Sequence, residues 1–439
     1  MAATFDPSTV EPRPADGRRL GGGEVELLTV YLVLLLAIPS SVRIAALGSM
    51  GRPSLLWGLV LFGWWVLWRL RLRPGDLPAV RQPVRLSFFA LLTIALVSLS
   101  VGLLRGLPPD QVSPAVTSIL RLLSWAGPML IAMDGLRTFD EVMTMVRRLA
   151  IAGGLLAALG LLQFLTGQTL VNWYAAIPGL EMEVDSGIAV RGSFTRASGT
   201  SIHPLEHATA LAAALPMAIA LAISAGLRAG QHRGRRAGWL AATLIALGSV
   251  LAVSRSALIG FAVAALAIVP ALPRRMRAIV LGCGGAIAAV AVIAVPGLFG
   301  TVVGLFAPGG DASTRSRTDA LARLPQFLSP SPWFGTGFGT FLPRYYIFDN
   351  AWVLMLVELG VLGLLATLAL FSSALYSAAE AAHRSGDQEL KVVGRAVAAS
   401  ILAVGVTFAF FDGFSFPIAA GMAFVLFGLA GALRTVTRF

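Results

Sequence analysis

The sequence contains little charge and almost no cysteine, and both shortages limit what the chain can be. Only 13% of its 439 residues are charged, whereas 56% are hydrophobic. Soluble domains carry about a quarter charged residues, so we exclude a soluble class and predict an integral membrane protein. The one cysteine, Cys283, lies in an apolar run. A disulfide framework within the chain and a cysteine-based metal site are therefore excluded.

The charge that is present is mostly positive, with a formal net charge of +12. An excess of this size can indicate nucleic-acid binding. In a polytopic membrane protein, however, it is typical of basic cytoplasmic loops. We therefore expect membrane lipids, and no nucleic acid, beside the basic segments.

The apolar runs predict an all-α polytopic membrane protein with about 12 transmembrane helices. A spanning helix needs about 20 mostly apolar residues, and residues 25–439 form one transmembrane domain of such runs. Residues 1–24 are rich in proline, glycine and charge, and we predict a disordered cytoplasmic tail rather than a signal peptide. The predicted spans are 25–42, 53–70, 86–104, 113–133, 145–165, 204–226, 237–253, 256–273, 276–295, 350–376, 394–411 and 415–433.

The basic residues predict the orientation. With the N-terminus inside, cytoplasmic segments hold 23 of the 34 basic residues and external segments hold ten. The positive-inside rule then places both termini in the cytoplasm. Two external loops, 166–203 and 296–349, are longer than ordinary connections, and the second lies between helices 9 and 10. They hold six of the ten external arginines, so we expect the chemistry on the outer face.

The first candidate group surrounds the start of the sixth span. Arg191 can bind phosphate oxygens through paired, charge-assisted hydrogen bonds. Farther along, His203 and His207 flank Glu206 and raise the alternative of a metal site. No HExxH-type motif is present, and Pro204 places His203 at or before the helix start. The remaining alternative is polar capping of that helix, and the sequence predicts no metal.

Three further arginines are candidate anion ligands. Arg255 lies between two serines in a tight hairpin of the seventh and eighth spans. It either snorkels to lipid headgroups or forms an anion pocket with the N-terminus of the next helix. Arg315 and Arg317 precede residues 318–328, whose apolar spacing predicts a helix lying in the membrane interface.

The tenth span opens with two polar residues and holds a third. Asp349 is placed to act as a general base at the mouth of the span, although Asp349 and Asn350 are also typical helix caps. Glu358 follows on roughly the same face, about 12 Å deeper. A carboxylate at that depth needs a partner, and Arg121 and Arg255 are the available cations.

In their order along the chain, these motifs resemble the O-antigen ligase and O-antigen polymerase superfamily of bacterial membrane glycosyltransferases. The resemblance covers about residues 150–380, and the whole chain in topology. The matching motifs are Arg191 to Phe194 before the span with Pro216, Ser254 to Ser256 at the hairpin, Pro332 to Gly339 in the outer loop, and Asn350 to Glu358 with Gly360 and Gly363.

The resemblance implies a glycosyltransferase of surface polysaccharide biosynthesis in the bacterial plasma membrane. Its donor is a glycan on undecaprenyl diphosphate, and its acceptor is a hydroxyl of a glycan or another molecule. Arg191, Arg255 and Arg315 or Arg317 would hold the diphosphate, and Asn350 and Glu358 would bind substrate. No metal or other cofactor is implied, because the arginines supply the countercharge.

Asp349 would be catalytic together with Arg255. Ligases of this family typically have a histidine at the position of Asp349, so the difference favours a polymerase or another acceptor. Two alternatives from other classes stay open. One is a secondary transporter or lipid-linked oligosaccharide flippase, although transporters typically show internal repeats around a midplane site. The other is a structural membrane protein without chemistry.

Overall fold

The described residues form a bundle of α-helices with two short, two-stranded antiparallel sheets. The structure is a computed structural model that describes residues 23–71, 80–182, 189–191, 194–227, 232–252, 254–294 and 312–438. The helices in these ranges are α1 Glu24–Leu36, α2 Pro53–Arg71, α3 Pro83–Leu104, α4 Pro109–Gly135, α5 Phe139–Thr166, α6 Pro204–Leu227, α7 His232–Leu251, α8 Arg255–Ile268, α9 Arg274–Ala294, α10 Ala312–Leu328, α11 Ala351–Arg384, α12 Gln388–Thr407 and α13 Pro417–Val436. The strands are β1 Val42–Ile44, β2 Leu180–Met182, β3 Ala189–Arg191 and β4 Phe194–Arg196.

Helix length and composition confirm the predicted all-α polytopic membrane class. Within the described ranges, eight helices are long and apolar enough to cross a membrane: α2, α3, α4, α5, α6, α11, α12 and α13. A helix also lies at each of the other four predicted spans, but α1 has 13 residues and α8 has 14. Both are shorter than a straight bilayer crossing, so the number twelve stays a prediction.

Helix α13 lies at the centre of the bundle. Every residue from Pro417 to Arg434 is buried, and the helix packs against α4, α6, α11 and α12. A helix that is apolar on all sides must be covered on all sides, and here protein rather than lipid covers it. The other helices are arranged around this core.

One end of the bundle gathers the long connections, and we call it the loop face. Its described residues are 37–52, 105–108, 167–182, 189–191, 194–203, 329–350 and 408–416. Strand β1 pairs antiparallel with β2, which joins the first connection to the third. The amide of Ser40 also donates to the Thr200 carbonyl at 2.8 Å, and the amide of Ala351 donates to the Phe408 carbonyl at 2.8 Å. These bonds bring distant connections into one surface.

Ion pairs tie the helices together at the other end, which we call the opposite face. Arg85 of α3 pairs with Asp134 of α4 at 2.8 Å, and the indole of Trp65 in α2 donates to the same carboxylate. Arg434 of α13 binds Glu380 of α11. Because these charges are paired between helices, they fix the helix ends without an isolated charge near hydrocarbon.

Helix α11 is broken one third of the way along by Gly360. This residue has φ 68° and ψ −170°, so the regular helical hydrogen bonds cannot form there. The preceding loop supplies replacements: the amide of Gly337 donates to the Glu358 carbonyl at 2.8 Å, and the amides of Val361 and Leu362 donate to the Pro332 and Trp333 carbonyls at 2.9 and 3.3 Å. The opened turn is thus satisfied by the loop.

Glycine is required on both sides of this contact. A Cβ atom on Gly335 would collide with the backbone of Glu358, and one on Gly360 would collide with the backbone of Trp333. Both glycines also have positive φ, a conformation that other residues adopt at a cost. Ser98 of α3 donates its hydroxyl to the Phe334 and Glu358 carbonyls, which locks the contact from a third element.

Helix α10 confirms the predicted helix over 318–328 and rests on the loop and on α11. Its contact residues form a small apolar cluster separate from the main core. The cluster consists of Ala320, Leu324 and Phe327 of α10 with Phe341, Phe348, Leu354 and Val357. The position of α10 relative to the membrane interface stays a prediction.

Replacing Gly335 by alanine should destabilise the protein and undock the loop. The left-handed backbone costs about 1–2 kcal/mol for a residue with Cβ, and overpacking adds about 1–3 kcal/mol. We expect a clearly lower thermal unfolding midpoint in detergent. The control is Gly282→Ala in α9, where a Cβ meets nothing within 4 Å; it should leave the midpoint unchanged or slightly raise it. Equal midpoints for the two variants would contradict the docked contact.

Candidate functional site

A cavity of about 310 Å³ opens on the loop face. Helix α4 forms one wall, the first turns of α11 form another, and residues 338–348 of the loop lie over it. The turn between α12 and α13 closes the remaining side through Asp412, Phe414 and Ser415. Thus three segments that are far apart in sequence meet around one space.

One cation and two carboxylates line this cavity. Arg121 of α4, Glu358 of α11 and Asp412 all line it. The positive charge of Arg121 acts on both carboxylates, so the structure brings Arg121, one of the two cations considered from the sequence, to Glu358. Two acids and one guanidinium can bind both phosphate oxygens and sugar hydroxyls, because carboxylates accept hydrogen bonds and a guanidinium only donates them.

Glu358 is held rigidly at the wall. Its side chain is 3% exposed, and the backbone amides of Gly339 and Phe341 donate to its carboxylate, the latter at 3.2 Å. Its own carbonyl is bound by Gly337, directly before the break at Gly360. The docked loop therefore sets both the backbone and the side chain of Glu358.

Asp412 is fixed by its own turn. The Ser415 hydroxyl donates to Oδ2, and among the described residues Oδ1 accepts no hydrogen bond. Burial raises the pKa of the Asp412 carboxyl to about 6, although hydrogen bonds from Ser415 and the charge of Arg121 oppose that shift. A carboxyl group with this pKa changes its protonation state between weakly acidic and neutral pH.

Aromatic rings line much of the rest of the cavity. Phe341 and Phe348 lie 5.3 Å apart between ring centroids, and the guanidinium of Arg323 lies 5.4 Å from the ring of Tyr346. Trp125 and Phe414 face them from the helical side. Flat apolar faces beside a few convergent polar groups are typical of small-molecule sites.

The structure places the two predicted polar residues of the tenth span just beyond this cavity. Asn350 is the N-cap of α11, and its Oδ1 accepts from the amides of Trp352 and Val353 at 3.0 and 3.2 Å. Asp349 is partly buried and follows Ile347 and Phe348, which line the cavity. The capping alternative thus holds for Asn350. Its substrate-binding role stays a prediction.

The predicted anion ligands are placed by their backbones alone. Arg191 pairs with Phe194 across the β3–β4 hairpin, and Arg255 is the first residue of α8. Arg315 and Arg317 belong to the first turns of α10. The side chains of these four arginines lie outside the described part of the structure, as do residues 295–311 of the long loop. Their roles stay predictions.

The residues around His203 form a polar junction. Glu206 is fully buried, and its carboxylate accepts from the amides of Ile202 and Ile418 and from the Ser40 hydroxyl. It therefore joins the start of α6 to the start of α13, as the capping alternative expects. Burial and the nearby Arg196 lower the pKa of His203 to about 4, so this imidazole is neutral at pH 7.

Two parts of the site were missed from the sequence. Asp412 stands in the nine-residue connection 408–416 between the last two helices, which in sequence looks like an ordinary turn. The available signal was an acid beside two predicted membrane spans. The break at Gly360 was also missed, since a glycine in an apolar run is compatible with an intact helix.

The family comparison covers the docked loop and the first half of α11, including its break. Residues 234–368 match the O-antigen ligase family. This O-antigen ligase domain confirms the resemblance to the O-antigen ligase and polymerase superfamily, and it includes Glu358 and Gly360. The match supports an O-antigen ligase-like function in polysaccharide biosynthesis, with a glycosyltransferase-like activity. No curated protein matches the chain.

The shifted pKa predicts a pH-dependent contribution of Asp412 to stability. The folded protein keeps this proton up to about pH 6, whereas an unfolded Asp loses it near pH 4. In between, the folded state binds more protons, so stability falls as the pH rises from about 4 to about 6. Asp412→Asn should lack this fall. The measurement is the thermal unfolding midpoint of the parent protein and of Asp412→Asn from pH 4 to pH 8. If the difference between the two midpoints were the same at every pH, the burial of Asp412 would be contradicted.

The cap at Asn350 predicts a simple stability pattern. Asn350→Ala removes the side-chain acceptor and should lower the free energy of unfolding by about 1 kcal/mol. Asn350→Asp keeps an equally good cap, so its stability should match the parent. Denaturant unfolding in detergent measures both. If the two variants lost stability equally, the amide group of Asn350 would have a role other than capping.

Proposed function

We propose that this chain transfers a glycan from undecaprenyl diphosphate to an acceptor hydroxyl on the outer side of the bacterial plasma membrane. The observation that supports this most is the cavity beneath the docked loop. It joins a guanidinium, two carboxylates and aromatic walls at the edge of a membrane-spanning bundle, and Glu358 within it belongs to the O-antigen ligase match. The loop face would be the outer face.

The donor's diphosphate would be bound by arginines. Arg121 already lies at the cavity, and Arg191 of β3, Arg255 of α8 and Arg315 or Arg317 of α10 would supply the other donors. As the bond between the anomeric carbon and the phosphate oxygen breaks, negative charge grows on the leaving diphosphate. Prearranged guanidinium groups stabilise that charge best in a site with little water, so no other countercharge is needed in this mechanism.

The acceptor hydroxyl would attack the anomeric carbon with inversion. Its oxygen forms the new glycosidic bond, its proton passes to Asp349, and undecaprenyl diphosphate leaves. Asp349 follows two residues that line the cavity, which keeps it within reach of an acceptor there. Glu358 and Asp412 would orient the acceptor by accepting hydrogen bonds from its other hydroxyls.

Substitutions at the cavity and at Asp349 should separate binding from chemistry. We expect Arg121→Gln to lower glycan transfer about 10²–10³-fold, the usual effect of removing one charge-stabilising donor. We expect Asp349→Asn to lower it about 10²–10⁴-fold, because a positioned base is lost. The assay is transfer from an undecaprenyl-diphosphate-linked glycan in proteoliposomes, scored against the amount of folded protein.

Arg105→Gln is the matched control for Arg121, because its guanidinium is exposed on the same face and donates to the Pro330 carbonyl at 3.2 Å. It should keep most of the transfer activity. Full transfer by a folded Asp349→Asn protein would remove the base role. The same proteoliposomes test the alternatives: movement of the glycan across the bilayer without transfer indicates a flippase or transporter, and neither event indicates a structural protein.

A further inference from the structure

We propose that the opposite face contains a binding site for an anionic phospholipid, in a groove between α8, α11 and α12. The groove is separate from the cavity on the loop face. It has a volume of about 440 Å³, and most of its lining is apolar. Its lining consists of Ala267 of α8, Pro270 directly after α8, Leu375, Ala379 and His383 of α11, and Arg395, Ala398, Ala399 and Leu402 of α12.

Small side chains create the groove. Four of its lining residues are alanines, so the three helices leave a channel where larger side chains would fill the space. Leu402 at its edge is 42% exposed, although it belongs to a helix that is long and apolar enough to span the membrane. In a bilayer, this exposed apolar surface is in contact with the hydrocarbon chains of lipids.

Two guanidinium groups converge at one end of the groove. Arg395 donates to the Pro270 carbonyl at 2.8 Å, and Arg277 of α9 donates to the same carbonyl at 3.2 Å. Two like charges on one acceptor repel each other, and an anion close to both offsets this repulsion. Each guanidinium has five N–H donors, so both retain donors for a phosphate group. His383 lies at the same end.

The described acids on α11 and in the turn after it are bound by groups other than Arg277 and Arg395. Residues 270–283 contain three arginines and no acid. On α11, Glu380 is bound by Arg434 and Arg384, and Asp387 caps α12 through the amide of Glu389. The end of the groove is therefore cationic, whereas its length is apolar.

A phospholipid fits both halves of this description. Its acyl chain would lie along the alanine-lined channel, and its phosphate would lie between Arg277 and Arg395. Basic pockets between membrane helices on the cytoplasmic side are typical sites for anionic headgroups, and the basic residues predict that this face is cytoplasmic. A bound lipid would hold the α8–α9 turn against α11 and α12.

The site can be tested by lipid binding to the full-length protein in detergent, measured by native mass spectrometry. Phosphatidylglycerol should bind at least tenfold more tightly than phosphatidylcholine. The double variant Arg277→Gln with Arg395→Gln should lose this preference, whereas Arg105→Gln on the loop face should keep it. Leu402→Trp narrows the channel and should weaken binding of both lipids.

Two results would overturn the proposal. One is that the folded double variant binds phosphatidylglycerol as tightly as the parent protein does. If the double variant does not fold, unchanged binding by Leu402→Trp has the same meaning. The other is equal binding of phosphatidylglycerol and phosphatidylcholine by the parent protein. A competition with inorganic phosphate separates the two sources of the anion. If micromolar phosphate displaced the lipid, the arginines would bind the phosphate ion alone. That result would also reject the proposed channel for the acyl chain.

Discussion

The contact between the loop backbone and the opened turn of α11 is the constraint on which the site depends. Backbone groups in a membrane protein must be satisfied internally, because hydrocarbon offers no hydrogen bonds. A break inside a spanning helix is therefore stable only if another segment supplies the partners. Residues 332–337 supply them here, and the same contact fixes Glu358 and the roof of the cavity. Loop, break and carboxylate form one structural unit.

The rest of the bundle serves to hold this unit at a fixed distance from Arg121 and Asp412. Helix α13 is enclosed by its neighbours, and the turn that precedes it carries Asp412 into the cavity wall. Helix α4 packs against α13 and brings Arg121 to the same point. Arg121 thus belongs to the packed core, and Asp412 lies in the short connection directly before a helix of that core.

The membrane class and the positions of the helices were predictable because apolar runs of about 20 residues seldom occur outside membrane-spanning helices. The need of Glu358 for a cation was predictable too, since a lone carboxylate near hydrocarbon is costly. The break at Gly360 was not, because local sequence does not show which distant amides replace a lost turn. The β3–β4 hairpin at Arg191 escaped notice for a related reason: strands of three residues leave too little alternation to recognise.

The break in α11 also divides its electric dipole. An intact helix has one negative end, at its C-terminus, which in α11 would lie at the opposite face. With the helix interrupted at Gly360, the first segment has a negative end of its own at Glu358. The Gly337 amide and the Ser98 hydroxyl donate to the Glu358 carbonyl there and offset that partial charge. Loss of the docked loop would therefore leave a helix end and a carboxylate of the same sign side by side.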